Sequence, residues 1–176
     1  IFDAAWGNLD FLLIDLPPGT GDIHLSIVQS LPISGALVVS TPQNVALADA
    51  KKGIAMFQQE NINVPVIGVV ENMSYFTPVD SPKKKYYIFG EKGAEFLAKD
   101  KGVPFLGSLP LVQTIREASD YGRPASLQEN SITANEFVEI TKNMVSEVIF
   151  RNKNLPPTKA VEITNLVGCE AIKSKS

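Results

Sequence analysis

The chain has one cysteine, one histidine and one tryptophan in 176 residues. A lone cysteine, Cys169, excludes an internal disulfide and fits a reducing compartment, for which the cytoplasm is the expectation. The histidine, His24, has no Cys or His partner at metal-ligand spacing, so a packing or capping role is expected of it. Pro, Gly or charge interrupts every apolar run well short of the about 20 residues a membrane helix needs. No basic stretch followed by an apolar run and a small-residue cleavage site opens the sequence, so secretion is not expected. Positive charge is also short: the net charge is −3 and the pI near 5.2, which argues against nucleic acid or an anionic membrane as partner. There is no Gly-Lys dipeptide anywhere, and so no glycine-rich loop ending in Gly-Lys-Ser/Thr to cradle phosphates.

What is present suits one domain with a sizeable core, 44% hydrophobic and 20% charged. Four short apolar runs predict buried parallel strands: Phe11–Ile14, Ala36–Val39, Val66–Val70 and Pro104–Gly107. Helical patterns separate or follow them. In 45–58, Leu47, Ala50, Ile54 and Phe57 recur on one face. Further helices are expected over 91–101, 111–121 and 131–151, the last with Phe137, Ile140, Met144 and Val148 as its core stripe and caps near Ser131 and Thr133. Strand–helix alternation predicts an α/β fold, a doubly wound, mostly parallel sheet flanked by helices.

At the front, Ile1, Phe2, Ala4, Ala5 and Trp6 read as the tail of an apolar-faced helix closed by Gly7-Asn8. Residues upstream are therefore expected; the simpler alternative is a natural start with its Met removed. Residues 74–89, with a Pro-Val-Asp-Ser-Pro centre and Lys83-Lys84-Lys85, predict a hairpin-like excursion with a polar tip. After Asn152, Leu155-Pro156-Pro157 stops a helix and starts an extended arm, with Val161–Ile163 a candidate edge strand. The expected division is one domain over 1–151 and an extended tail over 152–176.

The stretch that carries chemistry is Asp15-Leu16-Pro17-Pro18-Gly19-Thr20-Gly21-Asp22, directly after the first apolar run. Ligands of doubly wound sheets bind beyond the carboxyl ends of strands. A carboxylate there is placed to hold Mg²⁺, usually through water. Gly19 and Gly21 let backbone N–H groups approach a phosphate. Thr20 or Asp22 can cap the next helix, and Asp22 can orient an attacking water. The plain alternative is a Pro- and Gly-rich strand-to-helix turn.

That eight-residue string resembles the hallmark of the Mrp/ApbC iron–sulfur carriers among the MinD/ParA-like P-loop ATPases. So does the ordered series Ser40-Thr41-Pro42-Gln43, Val70-Glu71-Asn72-Met73-Ser74, Ile88-Phe89-Gly90, Gly107-Ser108-Leu109-Pro110-Leu111, Ile115-Arg116-Glu117 and Gly122-Arg123-Pro124. The likeness spans roughly residues 1–150. It implies a homodimeric ATPase that uses ATP and Mg²⁺ and delivers Fe–S clusters to apo-proteins. It gives Asp15 the Mg²⁺ carboxylate role and Gly19 the γ-phosphate-sensing N–H. Asn72 is implied to bond adenine, and Leu109, Pro110 and Leu111 to pass over the base. Read from the residues alone, Asn72 is a strand-terminal turn residue and Pro110 a helix start.

Two departures stand out. The phosphate loop, which the family carries upstream of the Asp15 strand, is absent, so this chain alone is expected not to hydrolyse ATP while its full-length parent does. The family's Cys-x-x-Cys, which bridges a cluster between subunits, is replaced: Thr77 and Asp80 fill those slots. Four thiolates are the usual set, so the resemblance implies Fe–S cargo while its ligands are missing. Lys83-Lys84-Lys85 reads as a solvated tip, with partner docking beside Tyr86 and Tyr87 as the sharper option. Arg116 and Arg123 read as surface ion-pair formers, against a reach to phosphate across a dimer. Two alternatives remain open: a MinD/ParA-like partitioning ATPase, and a non-hydrolytic interaction module.

Overall fold

Three of the four apolar runs form strands in the structure, a computed structural model that describes residues 1–78, 80–81, 83–128 and 131–160. They are β1 (Ala36–Ser40), β2 (Val66–Glu71) and β3 (Phe105–Ser108), all parallel, in the order β1-β2-β3. β2 is central and buried from Ile67 to Glu71, the environment its unbroken apolar run requires.

The helices are α1 (Asp22–Ser30), α2 (Asn44–Phe57), α3 (Gly93–Lys101), α4 (Gln113–Asp120) and α5 (Ile132–Asn154), with a short 3₁₀ turn at Ala125–Leu127. α2 and α3 cover one face of the sheet, where Ala50 and Ile54 meet Val69 and Ala94, Leu97 and Ala98. The neighbouring residue of β2, Val70, points the other way because side chains alternate along a strand. It packs with Leu106 and Leu109 against Phe137, Ile140 and Met144 of α5. Helices therefore lie on both faces, as the alternation predicts. A third cluster, Val28, Ala36, Met56, Phe57, Ile62 and Val64, closes the amino-terminal end of the sheet. Ser131 caps α5, its Oγ accepting the Ala134 N–H at 3.0 Å, and Pro156-Pro157 ends that helix three residues beyond the expected boundary.

Two expectations at the front are corrected. Phe11–Ile14 is not a strand: it pairs with nothing among the described residues, and Leu13 is 76% exposed. A strand owes its geometry to a hydrogen-bonded neighbour, and apolar composition does not replace one. Ile1–Trp6 is likewise a turn rather than a helix tail. Its indole N–H donates to the Ile1 carbonyl at 2.9 Å, and Gly7 takes φ +65°. The tip residues Val79 and Pro82, the candidate edge strand Val161–Ile163 and Cys169 lie outside the described residues.

Candidate functional site

The carboxyl ends of the three strands carry loops that bond to one another. At the end of β2 the Asn72 N–H donates to the Ser40 carbonyl of β1 at 2.8 Å. On the other side, the Leu109 N–H donates to the Glu71 carbonyl (2.8 Å), the Ser74 N–H to the Leu109 carbonyl (2.9 Å) and the Leu111 N–H to the Tyr75 carbonyl (2.7 Å). The strand pairing thus continues past β2 and β3 into their loops, bringing together Asn72, Leu109, Pro110 and Leu111, four of the residues singled out in the sequence. Leu109 and Pro110 are buried, Asn72 and Leu111 half-buried. Pro110 is not a helix start, since α4 begins at Gln113 after Val112.

Asn72 is held in a particular state. Its Oδ1 accepts the Met73 N–H at 2.9 Å, which supports the left-handed backbone of Met73, φ +54°. A non-glycine residue rarely adopts that conformation and does so at some energetic cost. The amide retains a second lone pair on Oδ1 and two Nδ2 donors, the pair of functions with which an asparagine meets the N6/N7 edge of adenine.

Beneath this turn lies a group the sequence reading passed over. Glu71 is 1% exposed. Its Oε1 accepts the Ser74 hydroxyl at 2.5 Å and its Oε2 accepts the Ala94 N–H, in the first turn of α3, at 2.7 Å. Lys92, which precedes α3, is left-handed and offers no side-chain cap, so Glu71 occupies the anion-favouring end of that helix. The signal was there: a charged residue ends a strand apolar on both faces, with serine three positions on.

The α3 start also presses on the loop after β1. A Cβ on Gly93 would lie 2.6 Å from the Pro42 carbonyl oxygen and 2.7 Å from Leu47 Cδ1, so only glycine fits there. Ser40 is buried, and its Oγ donates to the Thr41 carbonyl at 3.0 Å.

The other candidate residues are not joined to this rim. Asp15 is exposed in the open stretch ahead of α1, Gly19 has φ +102°, and Gly21 is the N-cap of α1 with no side-chain cap bond. Asp22 is the acidic first residue of α1, favourable to its dipole; neither Thr20 nor Asp22 caps the helix. No hydrogen bond links this stretch to the Asn72 or Leu109 loops among the described residues. The glycine at position 19 is explained by its backbone, since other residues avoid that φ.

The excursion is a short antiparallel link, Phe76 and Tyr86 exchanging both backbone bonds at 2.8 Å. Thr77 is half-buried and Asp80 exposed. Lys84 Nζ sits 4.9 Å from the Tyr86 ring centre and Lys85 Nζ 3.7 Å from that of Tyr75, so the lysine tip covers aromatic faces. Tyr75 Oη donates to Glu136 Oε1 on α5 at 2.5 Å. Burial, then the hydrogen bond and charge of Glu136, push the Tyr75 phenol upward. Burial raises the Glu136 carboxyl above its ordinary value, while Tyr75 and the Lys85 charge act in the opposite direction. Arg116 pairs with Asp120 (2.7 Å) and Glu117 (3.4 Å) of its own helix. His24 is buried with its Nδ1 unpartnered among the described residues. No cluster of three His, Cys, Asp or Glu able to hold a metal occurs among the described residues. No helix among them is long and apolar enough to cross a membrane.

Comparison with known proteins shows the family to which this fold belongs. The family model described as NUBPL iron-transfer P-loop NTPase, of the ParA group, matches residues 1–145. An iron-sulfur cluster carrier protein of Synechocystis is 45% identical over 149 residues, 84% of this chain and 42% of the relative. The mouse iron-sulfur cluster transfer protein NUBPL is 49% identical over 152 residues, 86% of this chain and 46% of the relative. A solved nucleotide-binding protein of Archaeoglobus fulgidus in complex with ADP superposes with a TM-score of 0.63 at 41% identity, over 76% of this chain and 52% of that one. The chain thus spans less than half the length of these curated relatives. A match over most of its residues, with the parallel sheet and helices of such ATPases, makes the chain a member of the Mrp/NUBPL family of iron-transfer P-loop NTPases.

Proposed function

We propose that this chain supplies the switch and base-binding half of an ATP-binding and hydrolysing iron–sulfur cluster carrier or assembly protein, the phosphate loop coming from the rest of a full-length protein. The observation that carries the proposal is the bonded rim. Asn72, with adenine-matching functions free, sits between Ser40 of β1 and the Leu109–Leu111 loop. Asp15 would hold Mg²⁺ through water, Gly19 would offer its N–H to the γ-phosphate and Asp22 would orient the attacking water. Mg²⁺ is commonly held by one or two carboxylates together with waters and substrate phosphates. Asp15 is an exposed carboxylate and suits that mode, and the bound ion would neutralise phosphate charge.

The uncovered apolar surface supports a missing half. Leu37 and Val39 of β1 are exposed, as are Phe11, Leu12 and Leu13, and the outer edge of β1 carries no strand among the described residues. Natural edges of this kind are usually shielded. In the full-length protein we place the phosphate loop's own strand against that surface, in a homodimer working in the cytoplasm on apo iron–sulfur proteins.

The cargo's ligands do not fit. The excursion contains no thiol, and Cys169 is the only cysteine. A homodimer would bring two thiolates, against the four of the usual cluster set. Thr77 and Asp80 are oxygen donors, so no step of cluster binding is assigned to them.

ATP turnover tests the proposal. The full-length protein should hydrolyse ATP, and Asp15→Ala should lower kcat on the order of a hundredfold, as loss of a key electrostatic group does. Residues 1–176 alone should show no turnover above background. Turnover by the isolated chain, or an unchanged rate in the Asp15 variant, would overturn it.

A further inference from the structure

The buried Glu71 carboxylate joins the loop after β2 to the start of α3. It binds the Ser74 hydroxyl of its own loop and the Ala94 N–H of α3. Through Gly93, α3 rests directly against the Pro42 carbonyl of the loop after β1. Ser74 is fixed a second time, by its N–H to the Leu109 carbonyl at 2.9 Å. Between the two anchored residues, Glu71 and Ser74, lie only Asn72 and the left-handed Met73.

That spacing has a mechanical consequence. A φ of +54° at Met73 is unfavourable for a side-chain-bearing residue and persists only when its surroundings over-determine it. The Asn72 Oδ1 bond to Met73 N–H is one restraint, and the closure of the turn by Glu71 and Ser74 is the other. Removing that closure lets Met73 return to an ordinary backbone conformation. The Asn72 amide, which is bonded to Met73, turns with it.

We propose that Glu71 is a positioning residue that holds the Asn72 amide in its base-reading orientation and so sets the preference for adenine over guanine nucleotides. The inference rests on the reading of Asn72 as the adenine-binding residue. Glu71 meets no nucleotide itself. Adenine presents a donor at N6 where guanine presents an acceptor at O6. Discrimination therefore requires the amide oxygen and nitrogen to be held in one order, and a loosened amide accepts either base. A group that merely stabilised the fold would weaken both nucleotides alike.

The experiment measures Kd for ATP, GTP and pyrophosphate in the full-length protein and in four variants. Asn72→Ala should abolish the ATP/GTP preference and leave pyrophosphate affinity unchanged. Glu71→Leu, which leaves both the Ser74 hydroxyl and the Ala94 N–H without a buried partner, should reduce the preference about tenfold or more, since even one unsatisfied buried polar group is worth about that factor. Glu71→Gln can still accept from Ala94 and donate to Ser74 Oγ, and should keep the preference within about twofold. Should Glu71→Leu fail to fold, Ser74→Ala decides, with an expected loss of about threefold to fivefold from a single hydrogen bond. A wild-type ATP/GTP ratio in Glu71→Leu and Ser74→Ala, beside a lost ratio in Asn72→Ala, would overturn the role of Glu71 alone. An unchanged ratio in Asn72→Ala would remove the base reading, and this inference with it.

Discussion

The loops after β1, β2 and β3 and the stretch ahead of α1 are both family signatures, yet they stand in opposite physical conditions. In the first, backbone donors and acceptors cross from one loop to the next, and a carboxylate with 1% exposure is fully bonded. In the second, residues 1–21 are almost all exposed, and a four-residue apolar run stays unpaired. Composition does not separate the two, since Phe11–Ile14 is as apolar as Val66–Val70. What differs is whether a neighbour is present to accept the hydrogen bonds and cover the side chains. Secondary structure in a parallel sheet is a property of the assembly of strands, because no strand in it can satisfy its own backbone.

The comparison breaks most visibly in the core. Ile54 is 0% exposed, and Ile54→Ala should destabilise the chain by about 2–5 kcal/mol through lost transfer energy and the cavity left behind. Leu13→Ala, at an equally apolar but 76% exposed position, should change stability by less than about 0.5 kcal/mol. Urea denaturation of both variants measures the pair. Equal losses would mean that the front stretch is packed after all. In the full-length protein the contrast should shrink, because the proposed strand would bury Leu13.

A smaller effect of the same kind separates two glycines. Gly93→Ala places a Cβ 2.6 Å from the Pro42 carbonyl oxygen, and such overpacking typically costs about 1–3 kcal/mol. Gly21→Ala meets nothing within 4 Å and should cost less, about 0.5–1 kcal/mol, because alanine is a poorer N-cap than glycine. Thermal melts followed by circular dichroism suffice. A Gly21 variant as damaged as the Gly93 variant would show that the approach to α1 is tightly held.

These pairs also show how far the sequence could be read. The helical stripes were legible because their periodicity reports a buried face directly. Ala50, Ile54 and Phe57 are buried on α2, and Phe137, Ile140 and Met144 pack on α5. The cap at Ser131 and the stop at Pro156 were legible because they act locally. The strand at Phe11–Ile14 was misjudged because strand formation depends on a partner that a window of residues does not reveal. Glu71 was missed for a similar reason. Its second partner, the Ala94 N–H, lies 23 residues away, and only the closed sheet brings α3 over the end of β2. The loops carrying Asn72 and Leu109 could be placed at the same rim from strand–helix alternation. Their zipped hydrogen bonds, and the left-handed Met73 that aims Asn72, could not.

The least effect is expected where the excursion meets α5, and it sharpens the comparison through two probes in one molecule. Glu136 has its Oε1 bonded by Tyr75 and its buried Oε2 without a partner among the described residues. Burial raises its carboxyl above 4.5 although Tyr75 and Lys85 oppose the shift. A folded state that keeps a proton longer than the unfolded chain is favoured at low pH. The contribution is fully present below the ordinary carboxyl value and is lost as pH rises through the raised one. The midpoint of thermal unfolding followed by circular dichroism should therefore fall across that window, and Glu136→Gln should flatten that part of the profile. Trp6, the only tryptophan, lies half-exposed in the front stretch, its indole N–H bonded to the Ile1 carbonyl and its backbone N–H to that of Ala4. Its emission before the melt should be the same in both proteins at every pH, because nothing in the held rim reaches it. An unaltered pH slope in Glu136→Gln would remove the carboxyl from the account. A Trp6 signal that tracked the variant would instead join the two regions that the hydrogen bonds keep apart.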